Sequence, residues 1–318
     1  MKFKKDRENN VTSTNYWTYD FIKSNANNSG LKKIIKKLMN NLILNPLGFK
    51  IVKNTTGYRS EQKSFTTNKS ILTIRNNKLC EYIIKFGDDN GLNFHKLNIL
   101  QLINRYDDIF RDEKISDLNG GMGYNNGLFL FILASFFDPK EVIESGVWRG
   151  FTSCLIDQAT SESSKLFCFD INLDRNEYIS KKASYFECDI NEVNSCDIDF
   201  KSIDLAFFDD HVSIFDRLNF CMNNKIGVVI VDDDVSLTQV HSDGWPPIPT
   251  ASMIYNYDDI PKKFDWITNG NSASADISGL SVKEICNYYN YIPFPNLSHI
   301  TGYIDTSLTS LLLQKKTY

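Results

Sequence analysis

The chain has 318 residues, 42% of them hydrophobic and 23% charged. That content can build a core without disulfides, and at roughly 100–200 residues per domain it implies two domains, or one large domain with additions. The net charge of −4 lacks the basic excess of a general nucleic-acid binder, so no nucleic-acid partner is expected. The seven cysteines are odd in number and form no Cys-x-x-Cys pair, which argues against a disulfide framework or a zinc site. Several lie in apolar runs such as Leu166-Phe-Cys-Phe169, where Cys behaves as a small hydrophobe. A reducing, cytoplasmic setting is the expectation. No apolar run reaches the length of a transmembrane helix, and the basic start MKFKKDRENN has no apolar stretch after it, so no secretory signal is expected.

In chain order, residues 1–30 read as a polar arm. Residues 31–44, LKKIIKKLMNNLIL, place Leu31, Ile34, Ile35, Leu38 and Leu42 on one helical face and four lysines on the other, and Pro46 ends the helix. Such a helix packs on the body or on a second subunit, which would make the chain a homo-oligomer; the alternative is an anionic membrane surface. Residues 70–86 read as two short strands around an Asn76-Asn77 turn. Residues 94–113 read as a helix. Residues 1–115 together form an N-terminal extension without a chemical motif, and residues 116–318 form the second unit.

From residue 120 the pattern changes. A Gly-rich turn, Asn119-Gly-Gly-Met-Gly123, precedes an apolar helix over Leu128–Phe137. Strands are expected at Glu141–Ser145, Lys165–Phe169, Ser184–Cys188, Leu205–Phe208 and Gly227–Val231, with helices at 152–160, 174–182 and 213–223. Alternating β and α elements imply a mostly parallel sheet covered on both faces. Residues 236–279, with Trp245-Pro-Pro-Ile-Pro249, break the rhythm and are long enough to be a lid or acceptor loop. Val282–Tyr289 reads as a helix, and Ile300–Lys316 as two strands, the last over Ser310–Gln314.

Five strand ends carry polar groups. The first is Glu144-Ser-Gly-Val-Trp-Arg-Gly-Phe-Thr-Ser153, between a strand and a helix. Two glycines four apart let the backbone turn sharply and approach a ligand, and the following helix N-terminus offers free N–H groups. A plain tight turn would use the same residues. The spacing is neither the GxGxxG dinucleotide fingerprint nor a P-loop. Next comes Asp170, which can accept from both hydroxyls of a ribose or cap a helix. Asp189 ends the third strand. The fourth and fifth strands end in Asp209-Asp-His211 and Asp232-Asp-Asp234. In an open parallel sheet these ends converge, so five carboxylates and a histidine would share one edge. Crowded carboxylates repel, and a cation such as Mg²⁺, which takes oxygen ligands, would neutralise them. A solvated acidic loop is the competing reading.

The Glu-x-Gly-x-x-x-Gly-x-Thr run resembles motif I of the class I S-adenosylmethionine (SAM)-dependent methyltransferases. The paired Asp runs resemble those of metal-dependent O-methyltransferases of the catechol and sugar types. The resemblance covers residues 120–235, and 280–316 by pattern only. It implies a Rossmann-like α/β fold with a mostly parallel seven-stranded sheet that ends in an antiparallel hairpin. It implies SAM over Glu144, Gly146, Trp148, Gly150 and Thr152, with Asp170 on the ribose and Asp189 and Asp210 on the cofactor side. It implies Mg²⁺ or another divalent cation on Asp209, Asp232 and Asp233, and His211 as general base. Three acids stand where the catechol type has an acid and an amide, so Asp234 could replace Asp233. His241 is the alternative base. The reaction implied is methyl transfer to a hydroxyl of a sugar or other polar small molecule, in polysaccharide or natural-product biosynthesis. A non-catalytic SAM-binding relative and a metal-dependent enzyme of another class remain as alternatives.

Overall fold

The computed structural model describes residues 68–112, 122–193, 198–235, 249–257, 260–268, 271–276, 282–304 and 308–315. The arm expected over 1–30, the Lys-rich helix expected over 31–44, His241 and Trp245 lie outside them.

Residues 70–86 are not a hairpin but part of one helix, α1 (Lys69–Asp89). Asn68 caps it by accepting the Ser70 and Ile71 amides. Its buried residues, Asn76, Leu79, Ile83 and Gly87, recur at helical spacing. The Asn76 amide is used inside the protein, donating to Asn104 (2.8 Å) and Asp107 (3.2 Å), and makes no turn. Helix α2 (Ile99–Arg111) follows, capped by Asn98 on the Gln101 amide. Helix α3 (Tyr124–Phe137) is buried over Tyr124–Ala134, as a helix apolar on all sides must be. Leu79, Ile83, Ile103 and Tyr106 join Phe129, Leu166 and Phe207 in one apolar cluster, so residues 69–111 contribute to the core against the sheet.

The sheet strands are β1 (Glu141–Ser145), β2 (Lys165–Phe169), β3 (Ala183–Phe186), β4 (Leu205–Phe208), β5 (Val228–Val231), β8 (Tyr289–Pro293) and β9 (Ser310–Gln314). Their order is β3-β2-β1-β4-β5-β9-β8. Strands β1 to β5 run parallel, and β9 enters antiparallel between β5 and β8. This is the Rossmann-like, mostly parallel seven-stranded sheet with an antiparallel C-terminal pair that the resemblance implies. The first strand of that pair lies at Tyr289–Pro293, not near residue 300, where Ser298–Thr301 forms a short helix, α8. Helices α4 (Phe151–Ala159), α5 (Ile214–Asn224) and α7 (Val282–Tyr288) match the expected positions.

The helix expected over 174–182 is absent; a 3₁₀ turn at Leu173–Arg175 leads into extended chain. Long-range contacts decide this. The Glu177 amide donates to the Arg149 carbonyl at 3.2 Å, and Lys182 Nζ donates to the Thr160 and Ser161 carbonyls at the C-terminus of α4.

Within the expected lid, α6 (Ala251–Asn256) is followed by an antiparallel pair, β6 (Lys263–Thr268) and β7 (Asn271–Asp276), in register Lys263 to Asp276. A second apolar cluster, with Phe208, Phe215, Leu218 and Tyr289, fills the opposite face of the sheet. Among the described residues, no helix is long and apolar enough to cross a membrane.

Candidate active site

The chain reverses its winding between β1 and β4, and this switch point is where an open α/β sheet leaves a crevice. The loops after both strands meet there. Gly146 has φ +94°, and a Cβ on it would lie 2.3 Å from the Asp209 carbonyl oxygen, so only glycine fits. Gly150 has φ +85°, and a Cβ there would meet Asn176 Oδ1 at 2.5 Å. Trp148, between them, also takes positive φ (+50°). Its ring is partly exposed and carries the Arg175 guanidinium 4.5 Å from its centroid. Thr152 is buried in the first turn of α4.

Asp170 stands beside this loop. Its Oδ2 accepts the Val147 and Trp148 amides (3.0 and 2.8 Å), and its Oδ1 accepts the Asn172 amide (2.9 Å). The carboxylate therefore braces the loop and caps no α-helix. Each oxygen has roughly two lone pairs, so acceptor capacity remains for a ligand.

Glu144 lies beneath, fully buried between β1, β2 and α4. Ser153 Oγ (2.5 Å) and the Cys168 thiol (3.4 Å) donate to its Oε2. Its Oε1 has no hydrogen-bond partner among the described residues. Burial pushes this carboxyl up to about 7, against the hydrogen bonds from Ser153 and Cys168. A glycine cradle, a helix N-terminus, a carboxylate beside the loop and an orphaned buried carboxyl oxygen fit a cofactor with a ribose and a cationic amino-acid end.

The structure sorts the five acids on the other side. Asp210 Oδ2 accepts Ser145 Oγ (2.6 Å) and Arg217 Nε (2.8 Å). Asp234 is buried and satisfied by the Ser252 amide (2.5 Å), the Tyr291 hydroxyl (2.8 Å) and Ser310 Oγ. Asp234, the sequence alternative to Asp233, thus has a structural task. Thr309 Oγ1 donates to Asp232 Oδ1 at 2.6 Å. Asp233, at φ +53°, places Oδ2 2.9 Å from His211 Nε2. The same nitrogen lies 3.5 Å from Asp209 Oδ1. Asp209, His211 and Asp233 can bring one donor atom each within 4.8 Å of one another, and Asp232 lines the same pocket. Burial first, then Asp232, Asp233, Asp210 and Glu144, hold the Asp209 carboxyl well above the ordinary carboxylate range. A divalent cation would relieve that repulsion, so the donor set fits one.

Asp189 is held by Arg217. Its carboxylate receives Arg217 Nη1 (3.3 Å) and Nη2 (2.5 Å) and the Asn191 amide (2.8 Å). Arg217 itself, fully buried, was not singled out from the sequence. Its signal was available: on α5 it falls in the apolar stripe of Ile214, Leu218 and Cys221, where an arginine needs buried partners.

No family model matches the chain, and no curated protein matches it. Solved structures do. One is the O-methyltransferase TomG from Streptomyces achromogenes in complex with SAM, at 14% identity and TM-score 0.36, covering 67% of this chain and 90% of that one. A methyltransferase from Geobacter sulfurreducens gives 13% identity and TM-score 0.37, covering 68% and 89%. The Podospora anserina methyltransferase PaMTH1, bound to S-adenosylhomocysteine (SAH), gives 11% identity and TM-score 0.36, covering 79% and 98%. At such scores, what bears on function is this chain's own strand order and side chains.

Proposed function

We propose that the protein is a SAM-dependent O-methyltransferase acting on a hydroxyl of a sugar or other polar small molecule, with a divalent cation, Mg²⁺ by preference, at the acidic edge. One observation carries this reading: the left-handed glycine loop, braced by Asp170, touches the backbone of Asp209 at the switch point, so a cofactor cradle and an acidic pocket share one crevice. SAM supplies an electrophilic methyl group when bound. Gly146 and Gly150 admit the cofactor to the backbone, Asp170 takes the ribose, and Glu144 answers the cationic end. Asp209 and Asp233, with Asp232 beside them, would hold the cation and so lower the pKa of an acceptor hydroxyl. Because Mg²⁺ prefers oxygen, the proposal leaves His211 to take the hydroxyl proton, with Asp233 stabilising the resulting imidazolium. Alignment of the acceptor oxygen with the methyl group would contribute much of the rate.

The experiment is calorimetric titration of SAH into the protein, first in EDTA and then in Mg²⁺. Micromolar binding in both, with separate heat from Mg²⁺ alone, is expected. No SAH binding in either condition would overturn the reading. Once an acceptor is in hand, His211→Ala should cut turnover about 10²–10⁴-fold with SAH affinity intact; normal turnover would move the base elsewhere.

A further inference from the structure

Arg217 is the largest fully buried side chain among the described residues. Its guanidinium is shared between two carboxylates on different loops. Nε donates to Asp210 after β4, and Nη1 and Nη2 fork onto Asp189 after β3. The ring of Phe208 packs near it, 5.9 Å from centroid to Cζ. Asp210 in turn accepts Ser145 Oγ, the last residue of β1, and its Oδ1 accepts the Val212 amide (3.3 Å). One guanidinium therefore ties together the ends of β1, β3 and β4. Those ends flank Gly146 on the cofactor side and Asp209 and His211 on the acidic side. A planar fork with fixed donors holds such a junction in a way a lysine ammonium cannot.

We propose that Arg217 is a positioning residue that couples the two halves of the site, so that filling the glycine cradle sets the geometry of the Asp209–Val212 segment. The inference rests on the methyltransferase reading for the identity of the ligand. It gives Asp189 and Asp210 a part in the clamp where the sequence suggested direct cofactor contact. Coupling of this kind needs a physical link that both ligand sites bias, and the buried Arg–Asp–Ser chain is such a link.

Hydrogen exchange read by mass spectrometry, on wild type and Arg217→Lys, each free and saturated with SAH, tests it. In wild type, SAH should slow exchange over 146–150 and also over 209–212. In Arg217→Lys the slowing over 146–150 should persist and that over 209–212 should be lost. The free variant should exchange about ten-fold faster than wild type over 209–212, with β8 and β9 unchanged. A merely structural arginine would instead raise exchange throughout the sheet, and that outcome would overturn the proposal. So would equal protection of both segments in both proteins. If SAH protects nothing in wild type, the methyltransferase reading fails, and the comparison of the two free proteins decides the clamp. Should Arg217→Lys not fold, Asp189→Asn replaces it, because it weakens one arm and leaves Arg217 bonded to Asp210; loss of SAH protection over 209–212 is again expected, and its retention overturns the coupling.

Discussion

At the β1–β2 end of the crevice, Asp170 Oδ2 accepts two amides of the glycine loop and its Oδ1 accepts the Asn172 amide of its own turn. At the β4–β5 end, Asp209 and Asp233 share a single imidazole, and the charges of three neighbouring aspartates bear on Asp209. The first half holds its loop in place by these bonds and leaves one buried oxygen of Glu144 without a partner among the described residues. The second carries surplus negative charge in a partly buried place, which costs stability until a cation or a proton offsets it. Preorganisation for a large ligand and poise for a small cation are thus divided between two sets of strand ends.

The comparison can be broken most severely at Gly146. Gly146→Ala puts a methyl into the Asp209 carbonyl at a positive φ, and should cost roughly 4 kcal/mol in denaturant unfolding and abolish SAH binding. Retained binding would show that the two loops can separate freely.

Glu144 comes next. Its folded carboxyl, raised from 4.5 to about 7, keeps its proton where the unfolded chain has lost it. Stability from this source is therefore whole below about pH 4.5 and is lost as pH climbs to about 7. Glu144→Gln should match wild type near pH 4 and exceed it by on the order of 3 kcal/mol at pH 8. Parallel pH profiles of the two proteins would refute the buried-acid assignment.

Asp170→Ala should weaken SAH about 10–100-fold by calorimetry, since it removes both the loop brace and the proposed ribose acceptor. Unchanged affinity would sink that role. The smallest effect is expected from Asp209→Asn in EDTA, a gain of about 1 kcal/mol from relieved repulsion, together with loss of any Mg²⁺-induced rise in Tm. A Tm that still rises with Mg²⁺ would place the cation elsewhere.

Strands β1, β2 and β4 were legible to the residue, because short apolar runs end in Gly or Asp turns. Helix α1 was not. Its β-branched clusters, Ile71–Ile74 and Ile83-Ile84, imitate strands, and Asn76-Asn77 imitates a turn until Asn104 and Asp107 are known to bind Asn76. Segment 174–182 has helical character locally, yet the capping of α4 by Lys182 draws it out straight. In the site, the crowding of acids was readable from strand ends alone. Which acids are consumed was not, because Asp234 depends on Tyr291 and Ser310, and Asp189 and Asp210 depend on Arg217, all distant in sequence or on another element.

The insertion of β9 between β5 and β8 bears on how the protein is made. Synthesis proceeds from the N-terminus, so β5 (Val-Val-Ile-Val) emerges from the ribosome some eighty residues before its neighbour. Until Ser310–Gln314 arrives, β5 is an apolar strand with an unpaired edge, and the Asp234 carboxylate lacks Ser310. Nascent chains stalled in that interval expose a sticky margin that invites pairing with other chains. Yield of intact protein should accordingly depend on holdase chaperones while residues 232–310 are being made more than on anything that happens while the first four strands are laid down.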